Sequence, residues 1–268
     1  MSIITRESTS TSASPSALSQ LTIGWSSLAE RTGAITVPDG AEDVEVIVAV
    51  QGGLERVSLA RQGDRLIDVP GRGVARSRNA VIDATTRRYL LFCDDDVQVN
   101  LEGVAAGIEF LSRSGSALAL GLGTTPDGVV RKRRPMGGRE RLTSFSAARA
   151  ATYEMLIDVE QVKAAGIRFD ERFGAGVDLY LGDEYLFIFD LFRAGMRADA
   201  INHVYGIHPA DSSGHRWGAG DARVRAAVLN RAFGWRAPIV RLAFAYRHAE
   251  KLGGWRAAAR FALDRTRP

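Results

Sequence analysis

Three consecutive carboxylates, Asp94-Asp95-Asp96, follow directly on the apolar run YLLFC at residues 89–93. Such a run repels itself unless a cation is near. In an extended or turning backbone Asp94 and Asp96 face one side and Asp95 the other. Two carboxylates on one side, completed by phosphate and water, suit an octahedral Mg2+ or Mn2+. On residue type alone, the run serves equally well as a solvated acidic turn. A second acidic pair, Asp183-Glu184, follows Gly182 where a helix begins. It can complement the helix dipole, or it can act as a general base on an attacking hydroxyl. His208 opens the segment HPADSSGH at residues 208–215. An imidazole is an everyday surface or core group and also a common metal ligand; as a ligand it tilts the choice towards Mn2+.

The elements that must position these groups can be read from periodicity. Residues 44–50 (VEVIVAV) form a buried strand that stops at Gln51-Gly52-Gly53. Residues 72–86 are helical, with Val74, Ser77, Val81 and Ile82 roughly on one face, and residues 89–93 form a second strand. Asn100 caps a helix whose Leu101, Val104, Ala105, Ile108 and Leu111 keep a 3.6 period. Residues 117–122 give a third strand. Strands alternating with helices predict an α/β sheet with parallel strands, whose ligands bind beyond the carboxyl ends. The aspartates stand at such an end.

The second half is more broken. Residues 123–138 read as a loop with a basic run at 131–134, residues 152–157 as a strand and 159–165 as a short helix. The loop FDERFGAG (169–176) precedes a helix over 183–194 closed by Gly195, then a strand over 201–207. The Ser/Gly-rich stretch from His208 through Trp217 reads as a lid. From Asp221 onward apolar and basic residues alternate helically, with breaks at Gly234, Pro238 and Gly253-Gly254.

Charge and composition narrow the class. The 268 residues carry a net charge of +4, but residues 221–268 hold eleven basic side chains against three acidic ones, leaving a net −4 on the rest. A single cysteine, Cys93, excludes an internal disulfide framework and suits a reducing cytoplasm. No apolar run reaches the ~20 residues of a membrane span, and the Ser/Thr-rich start lacks a signal-peptide core. The expectation is a cytoplasmic protein in three parts: residues 1–40 disordered or extended, a domain at 41–220, and a basic helical extension at 221–268.

Two blocks then resemble one family. Residues 71–96 (GRGVARSRNAVIDATTRRYLLFCDDD) are similar to the donor half of family 2 glycosyltransferases, and residues 169–195 (FDERFGAGVDLYLGDEYLFIFDLFRAG) to their acceptor half. The resemblance spans roughly residues 44–215. It implies a GT-A fold: a mostly parallel sheet flanked by helices, with a nucleotide-binding half and an acceptor half. Asp94 and Asp96 fall on the metal-diphosphate motif, and Asp94 and Asp95 beside the donor. Arg78 and Asn79 fall on the nucleotide block, and Gln51 near the base and ribose. Asp183 and Glu184 fall on the family's Glu-Asp pair in reversed chemical order, with Glu184 the first choice of base and Asp183 the alternate. His208 is the implied third metal ligand.

The implied activity is inverting transfer from a nucleotide-sugar donor to a hydroxyl of a glycan or lipid-linked acceptor, dependent on Mn2+ or Mg2+. The basic tail, with Tyr246, Leu252, Trp255, Phe261 and Leu263 among its arginines, packs its apolar residues on the core in one reading. In the other it lies peripherally on anionic lipid at the inner face of the membrane. A sugar-phosphate nucleotidyltransferase would share the sheet and aspartates but needs a glycine-rich first-strand loop that is not found. A non-catalytic nucleic-acid-binding protein would explain the basic tail but not the acidic clusters at strand and helix ends, so no nucleic-acid partner is expected.

Overall fold

The structure, a computed structural model, describes residues 15–55, 57, 63–130, 132, 135–208 and 221–264. Its organising element is one twisted sheet with helices on both faces. After a short helix α1 (Pro15–Leu18) the strands are β1 (Leu21–Leu28), β2 (Glu45–Gln51), β3 (Arg65–Asp68), β4 (Tyr89–Asp94), β5 (Gln98–Val99), β6 (Leu118–Thr124), β7 (Arg139–Arg141), β8 (Met155–Asp158) and β9 (Ala198–Ile207). They lie in the order β3-β2-β1-β4-β8-β6-β9-β5, with β7 on β9.

The sheet changes character at β4. From β3 to β4 every pairing is parallel. β8 then inserts antiparallel between β4 and β6, and β9 runs parallel to β6. The expected α/β class holds, with parallel strands in the donor half and a mixed second half.

Period-2 alternation sorts the side chains. On β2 and β4, Ile47, Ala49, Leu90 and Phe92 enter one core, while Val46, Val48, Leu91 and Cys93 enter the other. The first core is closed by α2 (Val74–Ala84), α4 (Val159–Ala164) and α5 (Asp183–Arg193), through Val81, Ile82, Val162, Phe187 and Leu191. The second is closed by α3 (Leu101–Ser114), through Val104, Ile108 and Leu111. Asn100 caps α3 as expected, accepting from Gly103 N at 3.2 Å.

Within the segment expected to be disordered or extended, residues 21–28 form the strand β1, between β2 and β4. Its sequence LTIGWSSL hides it. Leu21, Ile23 and Trp25 fill the second core, but the other face lies under α2 and must be small. A Cβ on Gly24 would stand 2.2 Å from Val81 Cγ1. The strand at 44–50 is therefore the second of the sheet, and Gln51 ends β2.

Three further helices, α6 (Asp221–Phe233), α7 (Ala237–Arg247) and α8 (Trp255–Leu263), complete the described chain. They share a small core that includes Leu229, Ala245, Leu252 and Phe261. α6 also packs on α5 and the loop before it, where Ala227 and Val228 meet Phe173 and Leu186. No helix among the described residues is long and apolar enough to cross a membrane.

Candidate active site

The acidic turn is built by two pairings. β4 delivers Asp94, the chain turns with Val97 N donating to Asp94 O, and β5 pairs antiparallel with Gly206 and Ile207 of β9. That pairing brings His208, over a hundred residues later, to the turn: its Nε2 lies 3.3 Å from Asp96 Oδ1. Its ring stacks on Tyr153 at 5.4 Å between centroids. Asp95 departs from its neighbours, as the alternation predicts. It is buried, accepts from Ser27 Oγ at 2.9 Å and pairs with Arg31 Nη2 at 2.5 Å. The carboxylate expected beside the donor is thus already held inside the protein. Burial raises the Asp94 and Asp95 pKa values and neighbouring carboxylates add to the rise; Arg78 offsets it for Asp94, Ser27 and Arg31 for Asp95.

Arg78 joins this turn to the second acidic pair. Expected on the nucleotide block, the residue is 4% exposed and surrounded by carboxylates. Nη1 makes a close ion pair with Asp183 Oδ2 and lies 3.5 Å from Glu184 Oε1, while Nη2 lies 3.5 Å from Asp94 Oδ1. The guanidinium rests over the Phe169 ring at 5.4 Å. Burial alone would lower its pKa, but the three carboxylates outweigh that and raise it. One buried cation therefore serves three acids from two segments, the end of β4 and the start of α5.

Gln51 and Asn79, expected at the donor site, both brace the frame. Gln51 Nε2 donates to Gly73 O at 2.7 Å and to Ser77 Oγ at 2.8 Å, and its Oε1 accepts from Gly73 N, so its amide caps the start of α2. Asn79 accepts from Phe169 N at 2.9 Å and donates to Phe169 O at 3.0 Å, pinning the FDERFGAG loop to α2. Both amides mimic backbone, a use that residue type alone does not reveal.

Asp183 and Glu184 open α5 behind Gly182, whose φ of 88° favours glycine. Gly174 is needed for the same approach: at φ 104°, a Cβ there would stand 2.8 Å from Asp183 Cγ. The two side chains differ in reach, with 5% of Asp183 exposed against 23% of Glu184. Glu184 Oε1 also accepts from Thr152 Oγ1 at 2.6 Å. Burial and then the Glu184 charge push the Asp183 pKa up. For Glu184, burial would raise the pKa, but Arg78 and Thr152 pull it below the usual carboxylate value. The two carboxyls are coupled, and their surroundings favour the charged form more at Glu184 than at Asp183.

Ser27, Arg31 and Thr152 escaped the sequence reading because each arrives from a separate segment with no motif around it. Cys93 adds no nucleophile, since burial and the adjacent aspartates push its thiol well up. Residues 209–217 of the expected lid lie outside the described residues.

A divalent cation fits the Asp96–His208 pair. Both present hard or borderline donors beside the other carboxylate of the turn, Asp94, and Mg2+ or Mn2+ takes its remaining positions from phosphate and water. Among the described residues no group of three or more His, Cys, Asp or Glu side chains is drawn together so as to hold a metal ion by itself.

The comparisons agree with this architecture. The family model described as Glycosyl transferase family 2 matches residues 40–170, which include the acidic turn. The crystal structure of S. aureus TarS 1-349 superposes with a TM-score of 0.58 at 13% identity, covering 86% of this chain and 72% of that one. The same TarS segment in complex with UDP-GlcNAc gives 0.55 at 15% identity, over 86% and 73% of the two chains. A mycobacterial protein gives 0.51 at 18% identity, over 81% and 77%. No curated protein sequence matches the chain. The family match places a family 2 glycosyltransferase domain over residues 40–170, and the sheet around it is GT-A-like.

Proposed function

We propose that this chain moves a sugar from a nucleotide-sugar donor to a hydroxyl of a glycan or glycolipid, with inversion at the anomeric carbon. The observation behind this reading is the convergence of the acidic turn and the Asp183–Glu184 pair on Arg78. A leaving-group site and a base then face each other across one buried cation. That TarS has been crystallised with UDP-GlcNAc makes a nucleotide-sugar of this kind the first donor to try.

Asp96 and His208, with Asp94 beside them, would hold Mn2+ or Mg2+, which supplies neutralisation of the departing nucleoside diphosphate. Glu184 is the base, because its side chain is more exposed than that of Asp183 and its pKa is lowered where that of Asp183 is raised. The acceptor oxygen bonds to the anomeric carbon as the bond to the diphosphate breaks, and the acceptor proton passes to Glu184. Thr152 and Arg78 hold that carboxylate in place, so positioning contributes as well as proton transfer.

The test is turnover by full-length protein with UDP-, GDP- and dTDP-sugars and Mn2+, read as nucleoside diphosphate release. Glu184→Gln should lower turnover by about 10²-fold or more while donor affinity stays unchanged. Normal turnover by that variant would move the base elsewhere, with Asp183 next to be tried.

A further inference from the structure

Helix α7 carries large apolar side chains on its outward face, while its inward face buries Arg241 between Ala237 and Ala245. Its inward side carries Arg241, 4% exposed, which donates to Ala262 O at 3.2 Å and bonds Asn230 Oδ1. Its outward side carries Ile239 and Leu242, with Trp235 one turn before and Tyr246 one turn after. These four follow the i, i+4, i+7, i+11 spacing of a single helical stripe, and each is between 63% and 81% exposed. A helix that meets only water and its own core puts apolar residues inward and arginines outward.

A second stripe continues the first. On α8, Trp255, Ala259 and Leu263 share the outer face while Ala258 and Phe261 are buried. The Tyr246 and Trp255 rings lie 6.0 Å apart, so the stripes meet. Exposed arginines flank them at 236, 247, 256 and 260, with Arg236 stacked on Trp235 at 5.0 Å. From residue 234 to 264 the acidic side chains are Glu250 and Asp264. The earlier alternatives for the tail are thus divided between residues: Leu252 and Phe261 fill the core, whereas Tyr246, Trp255 and Leu263 face outward.

We infer that the outer face of α7 and α8 docks on the surface of an anionic lipid bilayer. The aliphatic centre would enter the acyl boundary, with Trp and Tyr at headgroup level and arginines on the phosphates. Charge complementarity favours lipid over a second copy of this chain, because a two-fold contact would set the same arginines against each other.

The test is flotation of the full chain with phosphatidylcholine vesicles, with and without phosphatidylglycerol. Binding is expected only with phosphatidylglycerol and should weaken as salt rises. The combined Trp235→Ser, Ile239→Ser, Leu242→Ser and Tyr246→Ser variant should lose more than about tenfold in partitioning, with its far-UV spectrum and thermal midpoint kept. Arg236→Gln with Arg247→Gln, which leaves the apolar stripe intact, should lose roughly fivefold per residue. No flotation by the wild type, or flotation by either variant equal to that of the wild type, overturns the inference. So does light scattering that shows a wild-type dimer converted to a monomer by the serine variant.

Discussion

At the scale of single residues, the site depends on Arg78. Its cation sits among Asp94, Asp183 and Glu184, and removing it leaves buried acids without a partner. Arg78→Met should therefore destabilise the protein by about 3–5 kcal/mol, measured by urea unfolding. A surface arginine that only touched nucleotide would cost little stability and would affect donor affinity alone. Motif residues were legible from the chain because acidity after a strand, or at a helix start, has few uses. Asp94, Asp96, Glu184 and His208 all arrive in one region. What could not be read was burial: Arg78, Asn79, Gln51 and Asp95 carry polar side chains whose partners lie 16 to 106 residues away or in another strand. Local pattern says nothing about such partners.

At the scale of elements, the FDERFGAG loop is held between α2 and α6. Asn79 fastens its start, and Ala175 O accepts from Val74 N further along. Asn79→Ala would leave the Phe169 backbone groups buried without partners and should cost about 1–3 kcal/mol. Asp170 ties the loop to α6 by accepting from Arg231 Nε at 2.8 Å, and to itself by accepting from Arg172 Nε at 2.9 Å. Burial would raise its pKa, but these guanidinium bonds pull it down to about 2. A depressed carboxyl binds fewer protons folded than unfolded. Its contribution is thus complete above the ordinary carboxylate pKa and is lost as pH falls towards about 2. Asp170→Asn should cost about 2 kcal/mol at pH 7, and the gap from wild type should shrink between about pH 4 and pH 2 in unfolding curves. Strand β1 marks the limit of sequence reading at this scale. Gly24 is demanded by the approach of α2, so the pattern of the strand shows only half its core face.

At the scale of the molecule, the C-terminal helices are continuous with the catalytic part. Val228 of α6 lies 2.6 Å from where a Cβ on Gly182 would stand, and Tyr180 Oη donates to Asp221 Oδ1 at 2.6 Å. We propose that residues 221–233 belong structurally with the acceptor half, so a boundary at 220/221 cuts through a packed interface. Deleting residues 221–268 should expose Phe173 and Leu186 and lower the thermal midpoint, whereas a true domain boundary would leave it unchanged. Helices were legible here from apolar and basic alternation, but which apolar residues face inward depends on the packing of three helices together.

Binding of UDP, GDP and dTDP to the full chain, followed by titration calorimetry with and without Mn2+, tests the central claim most directly. The account predicts that one nucleoside diphosphate binds only when Mn2+ is present, and that Asp96→Ala abolishes this binding while Glu184→Gln preserves it. Mn2+-independent binding, or undiminished binding by Asp96→Ala, would contradict the assignment of the acidic turn.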